Sequence, residues 1–156
     1  MFKDKKVVAL IPALALTLLS GCGQEQETAA KHAPRQASNL CALDSINGVN
    51  APVMETKTGK ADFRGWAADS NSNTTPETLN VVLADTKGVS YVFSGAQRSE
   101  RHDVVKATQQ DAFLKSGFVL NADVSTLAKG TYGIRLEMPL SNSVVVCKTP
   151  KVLLVN

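Results

Sequence analysis

The chain has 156 residues, 44% of them hydrophobic, 20% charged and 5% aromatic, with a formal net charge of +3. That length holds one ordinary globular domain and excludes a multidomain machine. So few aromatics and so small a charge exclude an aromatic-rich binding platform and a polybasic nucleic-acid surface.

The chain opens with Met1-Phe2-Lys3-Asp4-Lys5-Lys6, continues in an apolar run from Val7 to Leu19, and then reads Ser20-Gly21-Cys22. A basic start, a short apolar stretch and small residues behind it form the pattern of a secretory signal peptide. A bilayer-spanning helix needs about 20 apolar residues, and here the polar Gln24-Glu25-Gln26-Glu27 follows almost at once. Residues 1–21 are therefore expected to be a removable leader. Leu19-Ser20-Gly21-Cys22 resembles the lipobox of bacterial lipoprotein signal peptides. The resemblance implies that Cys22 becomes the new N-terminus and carries a thioether-linked diacylglycerol, with further acyl chains such as palmitate. Each buried methylene then contributes about 0.8 kcal/mol, and two or more chains anchor stably where one does not. Gly23 stands where an Asp would signal inner-membrane retention in such lipoproteins, so the resemblance implies the outer membrane; the residues do not fix which side the domain faces, and the periplasm is the expected one. An ordinary secreted protein with a chance cysteine near its cleavage site is the alternative.

Loss of the leader removes Lys3, Lys5, Lys6 and Asp4, and the net charge falls from +3 to +1. Nucleic acid is accordingly not expected as a partner. Cys41 and Cys147 remain, an even pair in a chain sent to an oxidising compartment, and a disulfide between them is expected. It would tie the first strand to the last. Closing a loop of about 100 residues is worth up to about 4.7 kcal/mol in the chain-entropy account. A metal or redox pair is the competing reading, but neither cysteine belongs to a C-x-x-C and no histidine is close to either in sequence.

Residues 22–39 lack the apolar side chains needed to bury a core and read as a lipidated flexible tether, reaching roughly 20 to 25 Å. The domain is expected over 40–156. Period-two runs between turn signals predict strands at 42–46, 52–57, 61–67, 79–85, 89–94, 117–122, 131–138 and 143–155, the last interrupted at Pro150. Asn47-Gly48 is the strongest hairpin signal, with further turns at Thr58-Gly59, Lys87-Gly88 and Lys129-Gly130. One short helix is expected over 103–110. Leu127-x-x-Gly130-x-Tyr132 resembles the tyrosine corner of Greek-key sandwiches, in which the phenol bonds a backbone group just upstream. No cysteine follows two residues after Tyr132, so the disulfide of antibody domains is not expected. The fold class is all-β, an immunoglobulin-like antiparallel β-sandwich with one short helix.

The order Asp44-Ser45-Ile46-Asn47-Gly48, Gly65-Trp66-Ala67-Ala68-Asp69, Arg101-His102-Asp103-Val104, Ser116-Gly117-Phe118 and Asp123-Val124-Ser125-Thr126-Leu127 is similar to a bacterial β-sandwich module. That module accompanies membrane proteins that build or decorate envelope polysaccharides. A proline often stands there where this chain has His102. The resemblance implies an accessory that binds or scaffolds, not an enzyme.

Among candidate sites, Asp69-Ser70-Asn71-Ser72-Asn73 opens like a calcium loop. Thr74 then replaces the required Gly and Asn80 the bidentate Glu, so a solvated loop of Asx turns is the better reading and no metal is expected. Arg98, Glu100, Arg101, His102 and Asp103 form the densest ionisable cluster. No nucleophile with a motif context accompanies it, so no catalytic residue is assigned and no cofactor is expected; the two arginines would suit a carboxylate or phosphate. Trp66 alternates with Phe63 and either fills the core, the favoured outcome, or lines a sugar-binding surface. The binding residues singled out are thus Trp66, Arg98, Arg101, His102 and Asp103. The expected function is non-enzymatic: a protein joined to the membrane by its lipid, binding an envelope protein or polysaccharide. An inhibitor or immunity lipoprotein directed at a cell-wall hydrolase is the alternative.

Overall fold

The computed structural model describes residues 33–57 and 59–156. The expected leader, the lipidation position Cys22 and the first part of the tether lie outside the described residues. The strands are β1 (Arg35–Ala37), β2 (Cys41–Ile46), β3 (Val53–Thr56), β4 (Lys60–Ala67), β5 (Asn80–Ala84), β6 (Ser90–Phe93), β7 (Gln97–Ser99), β8 (Gly117–Asp123), β9 (Gly130–Pro139) and β10 (Val144–Val155). A helix, α1 (His102–Thr108), and a 3-10 segment, Asp111–Ser116, lie between β7 and β8.

One sheet has the order β1-β10-β9-β5-β6, with β3 also on β10, and the other has the order β2-β4-β8-β7. This is the strand allotment of an immunoglobulin-like sandwich. Alternation decides which side chains lie between the sheets. In β9, Tyr132, Ile134, Leu136 and Met138 face inward, and Phe63 from β4 and Phe118 and Leu120 from β8 meet them from the other sheet. Burying one such side chain contributes about 1.5 to 3 kcal/mol. The Tyr132 hydroxyl donates to the Ala128 carbonyl at 2.7 Å, the bond a tyrosine corner requires.

Pairing is antiparallel except where β1 and β3 lie parallel along β10. The cause is an early chain that alternates between sheets, β1 and β3 joining one and β2 and β4 the other. Asn47 and Gly48 have φ of 51° and 77°, the positive values a type I′ turn needs. Ile46 and Val49 exchange backbone bonds of 3.0 and 2.9 Å across the turn. Yet this turn does not join two paired strands: after it the chain crosses to the other sheet, where β3 runs along β10. Cys41 on β2 and Cys147 on β10 are disulfide-bonded, with Cα atoms 6.3 Å apart, so the bridge links the two sheets.

The described part of the sandwich reaches back past the expected boundary at Leu40 to Ala33. Arg35, Gln36 and Ala37 pair with Val144, Val145 and Val146. Ser38 is buried; its N–H donates to the Val146 carbonyl at 2.9 Å and its hydroxyl to the Ala68 carbonyl at 2.8 Å. Ladder bonds from the edge of β10 order this segment without apolar side chains. Nor does Pro150 end the last strand: β10 accommodates it in a bulge between Lys148 and Val152 and continues to Val155.

Candidate functional site

The face of the β2-β4-β8-β7 sheet turned away from the core carries most of the residues singled out above. Alternation along β4 buries Phe63 and sends Arg64 and Trp66 outward. Trp66 is therefore not part of the inter-sheet core, which corrects the favoured expectation. It is half-buried and packs, with Leu40, against a small separate cluster of Ala68, Val104 and Phe113. Opposite Trp66 on β8 stands Gly117. A Cβ on Gly117 would come within 2.4 Å of the Ser99 hydroxyl and 2.9 Å of the Arg101 Cγ, so the missing side chain is what lets Arg101 lie over the sheet.

Arg101 is held from two sides. Its Nε and Nη2 donate to the two oxygens of Asp103 at 2.8 and 2.7 Å, and its Nη1 donates to Asp44 of β2 at 2.8 Å. The hydrogen bond to Asp103, with the charge of Asp44, holds the guanidinium above its ordinary value. In return the Arg101 hydrogen bonds pull the Asp103 carboxyl down to about 2. Next along the chain, His102 is 80% exposed and lies 3.4 Å from Glu100, which also accepts from Lys115 at 2.9 Å.

Arg98 goes the other way. It stands opposite the core residue Phe118 in the β7–β8 ladder, and its side chain reaches four backbone carbonyls. Nη1 donates to Ala67 at 3.2 Å and to Ser116 at 3.0 Å, Nε to Glu77 at 3.2 Å, and Nη2 to Pro76. Burial pushes the guanidinium down to about 10, which leaves it charged at neutral pH. The pair of arginines expected to clamp a carboxylate or phosphate is thus split. One pins the β4–β5 connection from inside, and the other is saturated by Asp103 and Asp44 outside. Trp66, Arg101, His102 and Asp103 share one end of the sandwich.

The Asp69 loop satisfies itself. Asp69 is 1% exposed and accepts from the Asn71 N–H at 2.9 Å, the Asn71 side-chain amide at 2.9 Å and the Ser72 hydroxyl at 2.6 Å. Burial alone would raise its pKa; the bonds from Ser72 and Asn71 outweigh that and hold it below the ordinary value. Among the described residues, no group of three or more His, Cys, Asp or Glu side chains could hold a metal ion.

A cleft of about 540 Å³ that the sequence reading missed lies where β1 parts from β10, with residues 35–39 on one side and Val146, Cys147 and Lys148 on the other. Its signal was hidden because residues 35–39 carry no apolar pattern and read as tether. No protein family matches the chain, and no curated protein is significantly similar to it.

Proposed function

We propose that this chain is a non-enzymatic, lipid-anchored protein of the bacterial cell envelope, whose immunoglobulin-like sandwich binds or scaffolds an envelope protein or polysaccharide. The lipobox-like Leu19–Cys22 supports the anchor, and Gly23 supports outer-membrane sorting toward the periplasm. The observation that carries the binding reading is the use made of the candidate cluster. Arg98 is spent on four carbonyls, Arg101 on Asp103 and Asp44, and His102 stands in water without the orienting, desolvated setting a general base needs. Side chains that fasten an end of the fold build a rigid surface, and exposed Val92 on the edge strand β6 and Val53 on β3 offer apolar contact along two sheet edges.

Mass spectrometry of the mature protein tests the anchor: the expected product begins at Cys22 and carries a diacylglyceryl group. An unmodified thiol at that position in a freely secreted product would overturn it. Pull-down with the full chain from envelope extract tests the binding role, with a structural protein or polysaccharide as the expected companion. Capture of a wall hydrolase that loses activity in the complex, and regains it with Arg101→Ala, would replace this reading by the inhibitor alternative.

A further inference from the structure

β1 and β3 lie along the same edge of β10 and leave its middle uncovered. β1 pairs with Val144–Val146 and β3 with Val152–Val155. Past Ala37 the chain turns away to begin β2, and the space it leaves is the cleft of about 540 Å³. That volume is within the range of about 300 to 1,000 Å³ common to ligand sites.

The charges around this gap do not balance. Arg135 on β9 and Lys148 on β10 stand directly opposite each other. Like charges in that relation repel unless something negative lies near. Alternation puts both on the outer face, since their neighbours Ile134, Leu136 and Cys147 face the core. Arg35 joins them from β1. A single carboxylate, Glu137, serves the group, accepting from Arg35 and, at 2.6 Å, from Arg135. Lys148 is exposed and has no ion-pair partner among the described residues. Two of the three cations thus share the one carboxylate and the third, Lys148, is left without a counter-charge among the described residues.

The backbone adds a donor. Val144 N–H donates to the Pro34 carbonyl, and Ser38 N–H donates to the Val146 carbonyl, so even-numbered residues at this end of β10 turn their polar groups toward β1. By the same alternation the Lys148 N–H points to that edge, just beyond the last β1 partner, Ala37. Lys148 and Arg35 both line this opening, and the Lys148 N–H lies at the sheet edge beside it. Planar guanidinium and ammonium donors around a concave space suit an oxyanion with several acceptor oxygens.

We propose that the cleft between β1 and β10 is a binding site for a phosphate group, held chiefly by Lys148 and Arg35. The inference is independent of the lipid anchor and of the proposed envelope partner. Its test uses the full chain in zwitterionic detergent, with amide NMR shifts followed at constant ionic strength while inorganic phosphate is added. Saturable shifts at Ser38, Asn39 and Lys148 are expected, with affinity at least tenfold weaker in Lys148→Ala and Arg35→Ala and unchanged in Lys115→Ala. A parallel titration with long-chain polyphosphate separates the sources: saturation by inorganic phosphate identifies a free ion as sufficient, and saturation by the polymer alone identifies polymer-borne phosphate. Shifts that never saturate with either probe, or that are the same in Lys148→Ala, would overturn the proposal.

Discussion

Between the sheets, Phe63, Leu83, Phe118 and Leu136 are sealed by other apolar side chains. Over one end, from Arg98 to Ser116, the chain is fastened mainly by directed polar contacts. The apolar cluster beneath this cover is small, only Ala68, Val104 and Phe113 with Leu40 and Trp66 at its margin. The two regions teach different lessons about tolerance. Apolar burial is non-directional, so a side chain of similar volume retains most of it. A guanidinium on four carbonyls has no near equivalent, because its planar fork is what reaches them.

The strongest way to break the core is Phe63→Ala, expected to cost about 3 to 5 kcal/mol in urea denaturation through lost burial and the cavity left behind. Next comes Arg98→Met, expected to cost about 3 kcal/mol because several buried carbonyls lose their donor. Trp66 is the only tryptophan and packs against the cover, so its fluorescence should shift to the red in Arg98→Met before the sheets unfold. Conservative replacements sharpen the contrast: Phe63→Leu should recover most of the lost stability, whereas Arg98→Lys should recover little. Tyr132→Phe keeps the ring in the core and removes only the bond to Ala128, for an expected loss of about 1 kcal/mol.

The smallest effect belongs to the exposed side of the cover. The Arg101 hydrogen bonds hold the Asp103 carboxyl at about 2 in the folded chain, below its ordinary 3.8. Its folded pKa is lowered, so its contribution is fully present above about 3.8 and is lost as pH falls through about 2. Carboxyl NMR should follow that titration directly, and Arg101→Ala should return it toward the ordinary value.

Strands with an apolar face were legible in the sequence because period-two patterning and core burial are one fact seen twice. Tyr132 to Met138 and Ala61 to Ala67 show it. The Cys41 and Cys147 pairing was legible from cysteine parity, and the corner at Tyr132 from its motif. β1 and β7 were not legible. Arg35-Gln36-Ala37 and Gln97-Arg98-Ser99 are short and polar, and each is a strand because a longer neighbour presents ladder bonds. The directions of Arg98 and Arg101 were hidden for a related reason. They sit close together in sequence, yet one belongs to a strand facing inward and the other to the turn beyond it, and only the fold separates their roles. Asn47-Gly48 announced its turn correctly while saying nothing of which sheet the chain would join next.

The Cys41–Cys147 bond also governs how the domain responds to being pulled. Tension applied through the N-terminal chain arrives at Ala33, peels or shears β1 from β10, and reaches Cys41 within a few residues. There it passes through sulfur directly to Cys147, and everything enclosed between the two cysteines is shielded from extension. A pull between the two ends of this domain can therefore draw out only the residues before Cys41 and those after Cys147, while the rest of the sandwich keeps its length.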